Sequence, residues 1–349
     1  MRPVTSRRKR PLELFTDVAR QYEDFADYAA DSPCFADWAT QVARDTEVLA
    51  WIGRLPPIKQ QPNIVFAAAR RHGVTAPGPY EGLREALLAD DPEDPAGLTA
   101  TILTRSTQTN EVGRLATLAP VFARIAAESG RPLALLEAGA SAGVCLYPDR
   151  YAYRYLQGPD RRAVTWTPTD APVRTLTCRA RGPFRVPHSD LPVAWRGGLD
   201  LAPVDPADAD ASAWLETLVW PEQDARREAL RTALQVVRDD PPALRTGDIL
   251  DDLDDVVDEA SGFGEVVVFH TAVVAYLDPP DRERFAAAMA DRVAAGLCRW
   301  VSNEGKTVLP GITATGPDIP ADHPTFVLGL DGRALAWTHG HGRSLTWLG

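Results

Sequence analysis

Residues Leu133–Gly143, LALLEAGASAG, decide how this chain folds. An apolar run ends on an acid, Glu137, and gives way at once to small residues, with Gly139, Ser141 and Gly143 two apart. The pattern reads as a short buried parallel strand, Leu133–Glu137, that turns sharply into a helix with its backbone bare. Bare backbone at a helix start is where a protein can hold an anion, a nucleotide or a nucleophile.

Upstream, residues 11 to 130 read as helical. Leu14, Phe15, Val18, Tyr22 and Phe25 recur at helical spacing. Asp31-Ser32-Pro33 is a cap followed by a proline, opening a helix over Cys34–Leu49 that Pro56-Pro57 ends. Asn63–His72 and Pro79–Leu88 are two more short helices, and the polar loop Asp90–Gly97 precedes Leu98–Leu103. Ser106–Arg114 leads into a helix over Leu115–Ala127, with Thr109 or Asn110 as its cap. No segment in this half reads as a central strand.

Downstream, strands alternate with helices, which argues for a parallel sheet covered on both faces. Val144–Leu156 reads as a helix or an aromatic ribbon, and residues 163–195 as an antiparallel excursion rich in Thr and Pro. Arg196–Asp205 is a second acid-ended segment. A long helical stretch, Trp214–Arg238, stops at Pro241-Pro242, and Ala243–Asp248 is a short strand ending in an acid. Glu265–His270 is a buried parallel-type strand. A helix over Arg282–Ala295 and a strand over Cys298–Ser302 follow. Thr325–Leu330 and Ala334–Thr338 form a hairpin around Asp331-Gly332, and Arg343–Leu348 can add a strand.

The 349 residues suffice for one large domain or two ordinary ones, and 45% hydrophobic with 24% charged content is that of a globular protein. A net charge of −11 excludes a broad nucleic-acid footprint; the one basic cluster is Arg7, Arg8, Lys9 and Arg10. No stretch reaches the roughly 18 apolar residues of a membrane span. Cys34, Cys145, Cys178 and Cys298 form no C-x-x-C pair and have no histidine at metal-ligand spacing, so buried single thiols and a cytoplasmic location are expected.

The glycine turn supports two chemistries. It resembles the opening of class I S-adenosylmethionine-dependent methyltransferases, which run strand, acid, G-x-G-x-G, here with Ser141 for the middle glycine. That resemblance implies that Glu137 orients the methionine end of the cofactor, Asp200 meets the ribose hydroxyls and Asp248 meets the adenine amine. GASAG also satisfies G-x-S-x-G, the nucleophile elbow of a serine hydrolase with Ser141 exposed. The helical upstream half lacks the strand and the oxyanion-donor loop that such an elbow follows. A third reading is packing alone, in a non-catalytic Rossmann-type interaction module.

Other residues carry paired readings. His270, after four apolar residues, is either a buried, hydrogen-bonded histidine or a general base at a strand's carboxyl end. Gln108, Asn110 and Arg114 either support a helix start or hold a carboxylate, Arg114 by its fork. Glu222, in Trp220-Pro221-Glu222, is either packing or active-site machinery. His339 and His341 lack a further metal ligand, so no metal site is expected.

QTNEVGR (108–114), LLEAGASAG (135–143), DRYAYRY (149–155), GLDLAPVD (198–205), WLETLVWPEQDAR (214–226) and VVVFHTAVVAYL (266–277) resemble the signature blocks of the bacterial group called domain of unknown function 2332. The resemblance implies a methyltransferase-like Rossmann domain behind a helical N-terminal region and brings no catalytic residues with it. Ser141 and the long excursion over 157–195 depart from the methyltransferase pattern.

The expected fold is α/β: a Rossmann-like, methyltransferase-type, mostly parallel sheet with a C-terminal antiparallel hairpin over residues 131–349. A β-rich insertion falls at about 157–195, and a helical N-terminal region over 1–130 serves as lid and selects substrate. The expected function is S-adenosylmethionine-dependent methyl transfer to a small or medium-sized molecule, without nucleic-acid or membrane partners. Glu137, Gly139, Ala140, Ser141, Gly143, Asp200 and Asp248 would hold the cofactor. His270, Asn110 and Glu222 would orient or deprotonate the acceptor.

Overall fold

Among the described residues six α-helices come first, and their starts have visible chemical causes: α1 (Val18–Tyr28), α2 (Pro33–Val42), α3 (Thr46–Ile52), α4 (Pro62–Arg71), α5 (Tyr80–Leu88) and α6 (Leu98–Thr104). Asp17 caps α1, Ser32 caps α2 with Pro33 in its first turn, and Asp45 caps α3. The single helix expected from Cys34 to Leu49 is therefore two, because Asp45 takes the N–H groups of Glu47 and Val48 and starts a new one. The computed structural model describes residues 17–349 except Thr109, Ala321, Asp322 and Pro324. The basic cluster at Arg7–Arg10, the helical positions Leu14 and Phe15, and Thr109 as a cap lie outside the described residues.

The chain divides into two compact units, Met1–Thr109 with Ala213–Arg227, and Asn110–Ser212 with Glu228–Gly349. The first is held by an aromatic core in which Phe35 meets Phe66 edge-on at 5.0 Å between ring centroids and Trp220 packs on Phe25. The sequence-expected boundary at 130 lies within the second unit.

The second unit holds α7 (Leu115–Ser129) and strands β1 (Leu133–Ala138), β2 (Tyr151–Gln157), β3 (Arg162–Trp166), β4 (Arg174–Arg181) and β5 (Val193–Asp200). After α8 (Ala209–Leu218) and α9 (Asp224–Asp239) come β6 (Ala243–Thr246), α10 (Leu253–Ser261), β7 (Glu265–Thr271), α11 (Pro279–Ala294) and β8 (Arg299–Gly305). Helix α12 (Pro310–Thr313) precedes β9 (Phe326–Leu330), β10 (Arg333–Thr338) and β11 (Ser344–Trp347). Among the described residues an eleven-stranded sheet runs β3-β2-β4-β11-β10-β9-β8-β7-β1-β5-β6. Strands β8, β7, β1, β5 and β6 are mutually parallel, and β9, β10 and β11 join in antiparallel pairs. The protein is thus mixed α/β, with a helical N-terminal region and a mostly parallel sheet completed by antiparallel strands.

Three local expectations change. No α-helix directly follows β1: the turn runs into two short 3-10 turns, Val144–Leu146 and Pro148–Arg150, and then into β2. Pro148 and the buried alternation Tyr151, Tyr153, Tyr155 favour strand over helix there. The excursion over 157–195 supplies β3, which pairs antiparallel with β2, and β4, which pairs in parallel with β2 and β11, so it is antiparallel only in part and extends the same sheet beyond β11. The long helix expected over Trp214–Arg238 is broken at Trp220-Pro221.

Helix α7 is apolar almost all round, and it packs against β4, β7, β8 and β9. Pro120 sits inside it and cannot donate to the carbonyl of Ala116. The buried Tyr155 hydroxyl donates to that oxygen instead, at 3.0 Å. Tyr155→Phe is therefore expected to cost about 1–3 kcal/mol, read from the urea midpoint. An unchanged midpoint would show that the carbonyl has another donor. The opposite face of the sheet carries α10 and α11 over Ala134, Leu136, Val266, Val268 and Trp300. No helix among the described residues is long and apolar enough to cross a membrane.

Candidate functional site

Four neighbouring parallel strands end on chemically capable side chains: β5 on Asp200, β1 at Glu137, β7 at His270 and Thr271, and β8 at Asn303 and Glu304. Register places Glu137 opposite Phe269, and Thr271 opposite Asn303. Strand alternation then sorts them. Glu137, Thr271 and Asn303 share the face of α7, whose Phe122 packs on Phe269. His270 and Glu304 point to the other face, towards Phe285 and Trp300.

The turn after β1 is fully tied down. Gly139 and Ala140 donate their N–H groups to the Leu199 carbonyl, Ser141 to Asp200 Oδ2, Ala142 to Asn110 Oδ1, and Gly143 to the Ala140 carbonyl. Ser141 sits at φ +49, a left-handed conformation that a residue with a Cβ adopts only when held there. Asp200 supplies that hold at 2.8 Å, and the Asn110 amide donates to Ser141 Oγ at 2.9 Å. A methyl group placed on Gly139 would lie 2.5 Å from both Cγ atoms of Val273. On Gly143 it would meet Leu146, Pro242 and Leu244. The expected helix start with open amides is therefore corrected: there is no α-helix, and every N–H of the turn has a protein acceptor. A phosphate finds no free amide here.

The acids remain. Glu137 is 5% exposed, and its Oε2 has no hydrogen-bond partner. Burial pushes its carboxyl well above the usual range, Arg114 opposes that shift and Asp200 adds to it. Arg114 is equally buried, its Nε donating to the Gly340 carbonyl at 2.8 Å and its Nη1 to the Thr271 carbonyl at 3.0 Å. Asp200 also accepts from the Ala202 N–H. Asp248 lies past β6, where it accepts from the Leu250 N–H and donates its own N–H to Asp252.

His270 is fully buried. Its Nδ1 lies 2.7 Å from Glu304 Oε1, and Trp300 Nε1 donates to its Nε2 at 3.0 Å, which places the ring proton on Nδ1. Glu304 Oε1 accepts two further N–H groups, from Val273 and Val274. The group fixes the segment after β7, where Ala272 has φ +56. Both ring nitrogens are thus engaged, and proton transfer by His270 would require one of these bonds to break. Glu222 belongs to the helical unit and accepts from Ser32 Oγ and the Cys34 N–H at the start of α2.

Sequence reading did not single out Glu304, Asn303 or Trp300. The available signal was SNE ending an apolar strand, since charge inside a buried strand demands a partner. Asn303 bridges Thr271 and Thr338, so the α7 face is polar across β7, β8 and β10.

The family model described as "Uncharacterized protein conserved in bacteria (DUF2332)" matches residues 19–347 of this chain. No curated protein matches it.

Proposed function

For a chain that belongs to the family of uncharacterized bacterial proteins DUF2332, we propose S-adenosylmethionine-dependent methyl transfer to a small or medium-sized molecule. The sheet is read as Rossmann-like and of methyltransferase type, with β9 and β10 as its terminal hairpin. Its parallel strands reverse their order of addition between β1 and β7, and ligands of open α/β sheets gather at the carboxyl ends beside such a switch point.

The donor set fits this cofactor better than a phosphate-bearing nucleotide. The turn has no amide to give to a phosphate, and S-adenosylmethionine has no phosphate. Besides its own carboxylate it presents an ammonium, a sulfonium, ribose hydroxyls and an adenine amine, and these four suit carboxylates. Glu137 carries the reading: a buried carboxyl group at the end of β1 with an unpartnered oxygen. In this reading Glu137 takes the ammonium, Asp200 the ribose hydroxyls through its remaining lone pairs, and Asp248 the adenine amine. Ala140 and Ser141 form the close wall, while Gly139 and Gly143 let the turn pack. The cofactor supplies an electrophilic methyl group, and the chain's task is alignment and exclusion of water. Asn110, already bonded to the turn, is placed to orient an acceptor. Nothing in the geometry favours the Ser141 hydrolase: β1 is the first strand in chain order among the described residues, and the Asn110 amide occupies Ser141 Oγ.

Calorimetric titration of the intact protein with S-adenosylhomocysteine tests this. Saturable binding well below about 1 mM is expected, and no heat at that concentration overturns it.

A further inference from the structure

Three arginines from three elements meet at the sheet edge opposite the acids. Arg299 opens β8, Arg333 opens β10 after the Asp331-Gly332 turn, and Arg124 belongs to α7. Together they line a pocket of about 520 Å³ whose other walls include Leu335, Leu348 and Pro317. Asn303 lies four residues beyond Arg299 on β8, so the pocket is about 13 Å along the strand from the carboxyl-end site. The acids beside these arginines hold them without using up their donors. Arg299 donates Nε to Asp331 Oδ2 at 2.7 Å and Nη1 to Glu128 Oε2 at 3.0 Å, and Arg124 donates Nε to Glu128 Oε1 at 2.7 Å. Asp331 also accepts the Trp300 N–H, which ties it to the start of β8. Arg299 Nη2, both Nη groups of Arg124 and the whole fork of Arg333 have no hydrogen-bond acceptor among the described residues. Gly349 also lines the pocket and pairs with none of the three.

We propose that this pocket binds a phosphomonoester with an apolar body. A guanidinium offers five donors in a fixed fork, and pinning one edge of it on an acid orients the other edge in advance. Donors left over on three separate arginines match the three terminal oxygens of a phosphomonoester, each a strong acceptor. A carboxylate has only two oxygens and would leave one fork unanswered. Leu335 and Leu348 give the organic part an apolar wall, and the volume lies in the range of small-molecule sites. In a chain of net charge −11, three arginines around one hollow also make it a local positive focus. The site is separate from the one proposed for methyl transfer, and it stands or falls independently of that reading.

Calorimetric titrations of the full chain at one low ionic strength test it, with phenyl phosphate, inorganic phosphate and benzoate as probes. Phenyl phosphate should bind saturably well below about 1 mM, and about tenfold or more tighter than either of the others. Equal binding of benzoate overturns the match to three oxygens, and equal binding of inorganic phosphate overturns the part given to the apolar wall. No heat from phenyl phosphate at about 1 mM overturns the proposal outright. Arg333→Ala removes an exposed side chain that has no partner to lose, so the fold should stand while affinity drops by about tenfold or more. Arg124→Gln should give a loss of the same order, and phenyl phosphate affinity that survives either change overturns the proposal. Arg20→Gln removes an equal charge from an exposed position on α1 and should leave affinity within about twofold. A loss there as large as that of Arg333→Ala would mean unspecific attraction to positive charge and also overturns it. Saturating S-adenosylhomocysteine should leave phenyl phosphate affinity unchanged. Competition between the two would put the phosphate at the carboxyl-end site, which overturns this proposal and leaves methyl transfer standing.

Discussion

Glu137→Gln is expected to unfold at higher urea than the parent protein at pH 8, and at the same urea below pH 4.5. The carboxyl group is buried with one oxygen unpartnered, and its pKa in the fold lies well above the ordinary 4.5. Below 4.5 it is protonated whether the chain is folded or not, so its ionisation costs the fold nothing. As pH rises past 4.5, the unfolded chain releases this proton while the native state keeps it. Stability therefore falls with pH until the raised native value is passed, and then levels. Glutamine cannot ionise and is spared that loss, so the advantage of the variant opens above 4.5 and reaches about 1–3 kcal/mol. Urea midpoints at pH 4, 6 and 8 measure it. Asp200, Arg114 and Cys145 are the same in both proteins, so their contributions largely cancel in the difference. A gap that is absent at pH 8 would mean that the carboxylate is solvated or paired, and one already full at pH 4 would mean that the gain does not come from ionisation. A residue that weakens the fold in which it sits is what a binding role leaves behind, and losing the ligand while gaining stability is the corresponding exchange.

The same residues show what a sequence can disclose. Strands β1 and β7 are visible because an unbroken apolar run of strand length, closed by an acid or a histidine, fits little but a buried strand. The tail hairpin is visible because Asp331-Gly332 favours the positive φ values, +51 and +81, that both residues adopt. Partners are not visible. Asp200 and Ser141 are 59 positions apart, and nothing local says that the acid holds the turn rather than a ligand. His270 looks the same in sequence whether its ring is open or closed off by Trp300 and Glu304. The helix expected after Gly143 fails because small residues permit a helix start without requiring one, and the aromatic alternation that follows favours strand. Composition and periodicity report burial and direction, whereas the site depends on contacts made after the strands are ordered.

Gly139→Ala separates the two meanings of the glycine motif. Gly139 has φ +76, which costs a residue with a Cβ about 1–2 kcal/mol. The added methyl would also lie 2.5 Å from both Cγ atoms of Val273, and forcing extra volume into a packed site costs about 1–3 kcal/mol more. The variant should therefore lose about 2–5 kcal/mol, read from its urea midpoint. Val273→Ala removes both opposing atoms, so the double variant should recover about 1–2 kcal/mol relative to the sum of the single changes. The coupling is the informative quantity. Backbone strain is the same with or without the valine side chain, so only the steric part can be recovered. Strict additivity would mean that Val273 yields freely and that the space above Gly139 is open to a ligand, as in the nucleotide-approach reading of the motif. Coupling of the expected size assigns Gly139 to the packing of the β1 turn against the segment held by Glu304. On the proposed function, affinity should then follow the acids that flank the turn, Glu137 and Asp200, rather than the glycines.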